Sequence, residues 1–409
     1  MKILLITYYF PPCGGAAVQR WLRFCRYLLQ RGIPVTVLSS LGGDYPFTDP
    51  SLMAKLPTGL KVIRAKAPGM QKVWKRLSRS KSSLPYGDIA KARMGIMAKI
   101  LVWLRLNFIY PDLRVFWNPA AYRAALNELS RDRYDVIIST GPPHSTHFIA
   151  YKLFRKLGLD WYTDFRDPWL DIHYLKLNPP SRLSRYIHKR MESKILQSAK
   201  GNFIISEAIA DSLPPADKTI LYNGYDPLDF QALEHHPSSL FRVKYVGQLT
   251  AGQDPDLFVK LSQALTREHE LSFIGTELGD DQLLQLRSSL GNRLRHIGFC
   301  PHAEALQEMV DSDLLILIIN EYSGNKGVLT TKLFEYLAAG SPILCFGPAD
   351  GAAAKVIQDT SSGITYSPQE ISEAANWVNK LVPGRRNEGN IERYSVATQI
   401  DTLISKLQS

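Results

Sequence analysis

Glu335 stands one turn inside a segment suited to meet an anion. Within residues 324–344, Asn325-Lys326-Gly327-Val328-Leu329-Thr330-Thr331-Lys332 carries a glycine-bearing turn into a helix. That helix continues through Leu333-Phe334-Glu335-Tyr336-Leu337-Ala338-Ala339 and stops at Gly340. Backbone amides at a helix N-terminus attract anions. A carboxylate one turn further in can accept hydrogen bonds from sugar hydroxyls. Together these features suit a nucleoside diphosphate sugar. The same residues also read as a Thr-capped helix with a Gly stop, in which Glu335 only complements the helix dipole.

Four other loops carry chemistry-bearing residues. Tyr9-Phe10-Pro11-Pro12-Cys13-Gly14-Gly15 follows a first apolar run, and Gly14 and Gly15 let backbone approach a ligand closely. This loop is not the G-x-G-x-x-G fingerprint, so a nicotinamide enzyme loses its best support. Ser139-Thr140-Gly141-Pro142-Pro143-His144 and Thr163-Asp164-Phe165-Arg166-Asp167-Pro168-Trp169 follow two later runs. Asp167 with Arg166 is either a functional pair or a buried pair that fixes its loop. His144 is either near a reacting hydroxyl or a surface-loop histidine, and His147 reads as a helix-face residue. Val246-Gly247-Gln248-Leu249 opens the second half of the chain.

Alternating strands and helices must position these loops. Lys2–Thr7, Pro34–Ser39, Lys61–Arg64, Asp135–Ser139, Trp161–Asp164 and Asn202–Ser206 read as strands. Helices are expected at Val18–Arg31, near His147–Leu157 and at Leu183–Gln197. The pattern restarts near Phe241, with strands at Arg242–Val246, Glu270–Ile274, Arg295–Ile297 before Gly298, Leu314–Ile319 and Gly363–Thr365. The expected fold is α/β with two doubly wound domains, residues 1–222 and 241–390, joined by 223–240. The apolar spacing in Ile391–Leu407 suggests a tail helix, residues 391–409, that braces the first domain. Ligands of such sheets sit beyond the carboxyl ends of strands, which points to a cleft between the domains.

Composition narrows the class. The 409 residues carry a formal charge of +11, with 45% hydrophobic and 21% charged side chains, a globular balance. Residues 61–114 hold thirteen basic and two acidic side chains, an excess equal to the net charge of the whole chain. Large apolar residues such as Trp74, Met97, Trp103 and Phe108 interleave with them. That mixture describes either an inner-membrane contact on anionic lipid or a solvated basic face. Nucleic acid is the weaker partner, since no helix-turn-helix, zinc or RNA-recognition signature accompanies the charge. Cys13, Cys25, Cys300 and Cys345 lack ligand spacing, so no metal is expected and a reducing, cytoplasmic compartment is. The N-terminal run is short and ends in prolines, as a buried strand does and a signal peptide does not.

The loops, in this order, together with Asn223-Gly224-Tyr225-Asp226 and Lys332-Leu333-Phe334-Glu335-Tyr336-Leu337-Ala338-Ala339-Gly340-Ser341-Pro342, resemble the family 4 retaining glycosyltransferases, in the branch that builds bacterial surface polysaccharides. The resemblance spans nearly the whole chain. It implies the GT-B fold, an acceptor on the first domain, a nucleotide sugar on the second, and no metal or other cofactor. It assigns Glu335 to the nucleotide ribose. It also exposes departures. Gly327 stands where the family carries a second glutamate, and Gln248 and Gln253 stand where it carries an arginine and a lysine for the diphosphate.

The expected donor site is therefore Glu335, Lys332, Lys326, Asn325, Gly327, Thr331, Gly247, Gln248 and Gly298, with Gly14 and Gly15 reaching across the cleft. Asp167, Arg166 and His144 are the expected catalytic residues. The acceptor is a glycan or lipid-linked glycan. The competing readings are a nucleotide-sugar epimerase or phosphorylase of the same fold, and a non-catalytic binding module.

Overall fold

The structure is a computed structural model that describes all residues except 47, 71–95, 171–174, 176–177, 250–252, 321–324, 385 and 388, and the side chains of 16, 17 and 98. Two compact units emerge: Met1–Tyr222 with Ile400–Ser409, and Asn223–Gln399.

The first unit is built on seven parallel strands: β1 (Ile3–Ile6), β2 (Val35–Leu41), β3 (Lys61–Lys66), β4 (Val136–Gly141), β5 (Asp160–Phe165), β6 (Gly201–Ile204) and β7 (Lys218–Ile220). Their spatial order is β3-β2-β1-β4-β5-β6-β7. The interior strand β1 is apolar throughout and wholly buried, as a parallel strand covered on both faces must be. Ile6 pairs in register with Leu38 on one side and Ser139 on the other, so the loops after β1 and β4 leave the sheet side by side. The strand order reverses there, which is where open α/β sheets take ligands.

The second unit repeats the plan with β8 (Phe241–Val246), β9 (His269–Ile274), β10 (Leu294–Ile297), β11 (Leu314–Ile318), β12 (Ile343–Phe346) and β13 (Gly363–Tyr366), in the order β10-β9-β8-β11-β12-β13. Its switch point lies between β8 and β11. The helix Thr331–Ala339 leaves the β11 side of that point and returns to β12. Gly340 ends it in the left-handed conformation at φ 78°, where glycine carries no steric penalty.

The joint is tightly specified. Gly224 has φ 68°, and a Cβ there would lie 2.8 Å from the Tyr394 carbonyl oxygen. Tyr225 exchanges backbone hydrogen bonds with Tyr394 and Val396 at 3.0 and 2.8 Å. The tail helix, Val396–Gln408, begins in the second unit, and its Ile400–Gln408 part belongs to the first. There Asp401 pairs with Arg31 at 2.8 Å and Lys406 with Asp217 at 2.7 Å.

Several strands run one or two residues beyond the sequence expectation. The short edge strand β7 and the helices Ile96–Phe108, Asn118–Leu129 and Asp280–Leu290 were not anticipated.

Candidate functional site

In the second unit the site is assembled at the end of β8. Gly247 has φ 107°, and a Cβ there would fall 2.7 Å from Lys332 Cε. The missing side chain lets the Lys332 stem lie across the turn. Lys332 Nζ then donates to Tyr245 Oη at 2.7 Å and to the Gln248 carbonyl at 3.1 Å, and it sits 4.3 Å from the centre of the Tyr245 ring. Burial lowers its ammonium to about 8, opposed by the carboxylate of Glu335. A cation thus stands where the glutamines at 248 and 253 leave none.

Those glutamines are structural pins. Gln248 Nε2 donates to the Gly275 carbonyl at 2.8 Å, and its Oε1 accepts from the Glu277 amide at 2.9 Å. Gln253 Nε2 donates to the Ile318 carbonyl at 3.0 Å, and its Oε1 lies 3.1 Å from Tyr245 Oη. Together they tie the ends of β8, β9 and β11. Gln248 was expected among donor-binding side chains, but both polar ends of its amide are engaged in holding neighbouring loops.

Glu335 is buried one turn into the helix, with Oε1 3.1 Å from His302 Nε2. His302 opens the helix after β10, so sequence separation hides the pair; Pro301-His302 at a helix start was its only signal. Tyr336 Oη accepts from the Val246 amide at 3.0 Å and anchors the helix to β8.

The other expected donor residues divide. Thr331 begins the helix as expected, but the expected side-chain cap is absent: Thr330 makes no capping hydrogen bond, and its buried Oγ1 has no partner among the described residues. Asn325 is buried and donates to the Asn320 carbonyl at 2.8 Å, while Gly327 ends the same short 3-10 turn. Lys326 points to a surface pair with exposed Asp350. Gly298 follows the edge strand β10, two strands from the switch point, and a Cβ there would meet nothing within 4 Å. Gly324 lies outside the described residues.

In the first unit, Gly15 at φ 110° turns the β1 loop, with Gly14 buried beside it, into the helix Ala16–Gln30. The buried Asp–Arg pair foreseen for this region exists, but between other residues. Asp164 and Arg20 are both fully buried at 3.0 Å. The Asp164 carboxylate also accepts from Trp21 Nε1 and Thr140 Oγ1, each at 2.7 Å. Arg20 goes on to the carbonyls of Leu221 and Tyr222 at 2.9 and 2.6 Å. Neither Arg20 nor Asp164 was singled out from sequence. Nothing local marks them, because the pair spans 144 positions.

Arg166 donates to Thr140 Oγ1 at 3.0 Å and to the Pro142 carbonyl, and burial lowers its guanidinium against the opposing pull of Asp164. Asp167 projects to the surface. The residue is exposed, and the packed protein nearby pushes its carboxyl up to about 6, opposed by Arg166.

His144 corrects the surface-loop alternative, for it is buried. Its ring stacks on Trp169 with centroids 4.6 Å apart, and neither nitrogen has a hydrogen-bond partner among the described residues. Burial, then the neighbouring His147, hold its imidazole well below the usual histidine range. His147, on the helix Ser145–Leu157, stacks on Phe165 at 4.7 Å, and burial lowers it to about 3. Ser139 Oγ accepts from Trp161 Nε1 and lies 2.8 Å from His147 Nδ1, so its own proton best serves that nitrogen. A Cβ at Gly141 would fall 2.7 Å from His147 Nε2 and 2.9 Å from His144 Nδ1, so glycine makes room for both rings. This cluster packs the strand end and exposes no histidine nitrogen for chemistry.

No family model matches the chain, and no curated protein matches it. Solved structures do match over its full length. Sucrose-phosphate synthase from Thermosynechococcus elongatus is 14% identical, with a TM-score of 0.63, 100% of this chain and 99% of that one covered. HepE of Anabaena, solved with UDP, is 14% identical with a TM-score of 0.64 and full coverage of both chains. The lipopolysaccharide outer core galactosyltransferase WaaB is 15% identical, with a TM-score of 0.61 and coverage of 100% and 99%. The chain therefore has the GT-B fold, as two Rossmann-like units of seven and six parallel strands.

Proposed function

We propose that this chain is a family 4 glycosyltransferase. It moves a sugar from a nucleoside diphosphate sugar to an acceptor hydroxyl, with retention of configuration, in assembly of bacterial surface polysaccharide or lipopolysaccharide. The observation that carries the reading is Lys332 laid across Gly247 at the switch point, one turn before the buried Glu335. Lys332 meets the diphosphate, the start of the helix Thr331–Ala339 adds backbone amides, and Glu335 takes the ribose. Charge developing on the leaving diphosphate is the charge this catalysis must stabilise, and Lys332 is held in a partly dehydrated setting where its charge acts strongly. A protein cation at that point makes a metal unnecessary, so a chelator should leave turnover unchanged. Asp167, exposed after β5, serves the acceptor, while Arg166 positions its loop.

UDP is the first nucleotide to test, because HepE was solved with UDP and with UDP-glucose, and TarM of S. aureus with UDP. The name of WaaB supports a lipopolysaccharide role. Calorimetry with UDP and GDP decides the donor claim: saturable binding lost in Glu335→Ala supports it, and no binding to either nucleotide refutes it. A second reading, a binding module without turnover, is favoured by the structural engagement of Gln248 and Gln253. Release of UDP from a UDP-sugar that depends on acceptor would exclude that module.

A cytoplasmic, peripheral membrane position belongs to the same proposal. The helix Ile96–Phe108 exposes Ile96, Met97, Ile100, Trp103, Leu104 and Phe108. These fall on one stripe of a helix that also carries Lys99 and Arg105. Lys72, Lys75, Arg76 and Arg79 of that window lie outside the described residues. No described helix is long and apolar enough to cross a membrane.

A further inference from the structure

A cavity of about 840 Å³ opens in the first unit beside the Asp167 loop. Its volume falls within the range of small-molecule sites. One wall is apolar: Pro168, Trp169, Leu170, Leu175 and Leu213. Trp169 is held in place, with Nε1 donating to His188 Nδ1 at 3.1 Å and its ring stacked on His144. The other wall is a row of cations, Arg182, Arg185 and Lys189, which ends at Glu192, a carboxylate that is itself buried.

Their spacing of three and four residues puts the three on one face of the helix Arg182–Ser198, along about 10 Å of its axis. All three are exposed, and none forms an ion pair among the described residues. The donor site does not use this row, and the core does not need it. A single phosphate spans only part of such a row, whereas a diphosphate with its ester substituents covers more of it.

An apolar surface continues from the rim. Leu183 and Tyr186 of the same helix are 69% and 56% exposed. The helix Ile96–Phe108 is pinned beside them: Ser184 Oγ donates to the Leu106 carbonyl, and the Ser181 amide to Asn107 Oδ1, both at 2.8 Å. That contact leaves the exposed stripe with Trp103 and Phe108 facing outward.

From this juxtaposition we infer that the cavity binds a lipid-linked diphosphate, with the diphosphate on Arg182, Arg185 and Lys189 and the chain against the Trp169 wall. The inference rests on the glycosyltransferase reading, for which it names the acceptor class. The sugar beyond the diphosphate then lies toward Asp167, which directly precedes the cavity wall in the chain.

The test is calorimetry of the full chain with farnesyl diphosphate, farnesol and inorganic pyrophosphate. Farnesyl diphosphate should bind at least tenfold more tightly than either fragment. The Arg182→Gln/Arg185→Gln/Lys189→Gln variant should weaken it more than tenfold and leave UDP affinity unchanged. These positions are exposed, so the variant should keep the wild-type melting temperature. A variant of equal charge loss elsewhere, Arg131→Gln/Arg155→Gln/Lys156→Gln, should bind farnesyl diphosphate as the wild type does. Pyrophosphate binding as tightly as farnesyl diphosphate, or equal losses in both triple variants, would overturn the proposal. So would a triple variant that loses only binding to vesicles of anionic phospholipid. UDP binding is read separately, so failure of the donor claim with an intact farnesyl diphosphate site is distinguishable from failure of this one.

Discussion

Gly247 and Lys332 occupy one another's space: the volume that a side chain at 247 would fill is taken by the Lys332 stem, 2.7 Å from an added Cβ. Eighty-five positions of chain separate the two, and the pairing exists only because β8 and the helix Thr331–Ala339 meet at the switch point. The arrangement brings the Lys332 ammonium to 3.1 Å from the Gln248 carbonyl, beside a turn whose own residues 248 and 253 are uncharged.

Gly247→Ala should therefore act twice. It forces a side chain into φ 107° and displaces the lysine stem. Urea unfolding of the variant should show a loss of about 1–3 kcal/mol from backbone strain alone. UDP affinity should fall with it. Wild-type stability and affinity together would show that Lys332 does not depend on this turn.

Lys332→Met removes a charge-assisted contact worth about 1.5–3 kcal/mol, so UDP binding should weaken roughly 10- to 100-fold. The pH dependence carries opposite signs for stability and binding. Burial lowers the folded-state ammonium to about 8 from its ordinary value of 10.5. Between those values the unfolded chain holds more protons, so wild-type stability should rise with pH, and Lys332→Met should flatten the rise. UDP affinity should fall as pH climbs above about 8, because the charge that meets the diphosphate is lost. A methionine variant with unaltered pH profiles would remove Lys332 from the site.

Asp164→Ala leaves the Arg20 guanidinium buried without its carboxylate. Breaking a buried pair from one side costs about 3–5 kcal/mol. Denaturant titration followed by Trp fluorescence should report this loss in the first unit, while UDP still binds the second. A cost below about 1 kcal/mol would mean that Arg20 finds another partner.

The buried histidines predict acid sensitivity. Burial holds His147 at about 3 and His188 at about 4, with His144 also well below its ordinary value. As pH falls below 6.5, the unfolded chain protonates these groups before the folded one does, and stability declines by up to about 1.4 kcal/mol per pH unit for each. His144→Phe/His147→Phe keeps the stacking surface and removes two of the titrating groups. Its stability should fall less steeply between pH 6.5 and 4, and an unchanged slope would place the acid sensitivity elsewhere.

Trp103 and Phe108 are 52% and 66% exposed, so their loss leaves the core intact. Trp103→Ser/Phe108→Ser should sediment several-fold less with anionic vesicles and keep its circular dichroism spectrum. Equal sedimentation would count against membrane contact through this helix.

The order of strands and helices was readable because each strand is a short apolar run closed by a loop residue. Glu335 was readable too, since a helix start and a carboxylate one turn further in are local in sequence. The basic row was visible only as charge, for it takes a helix axis to align positions 182, 185 and 189. Arg20–Asp164 and Glu335–His302 were not legible, because each joins residues from different crossover segments.

The sequence by itself determined the two parallel sheets, the loops at their switch points and the missing charges at 248 and 253. Those properties follow from apolar runs, turn residues and side-chain type within a few positions. Only the tertiary structure decided that Lys332 lies across Gly247, that Gln248 and Gln253 tie strand ends, that His144 is sealed in a ring stack, and that Asp164 rather than Asp167 carries the buried ion pair. Each depends on which crossover brings which helix to which strand end, and pairing of that kind is fixed by packing of the whole sheet.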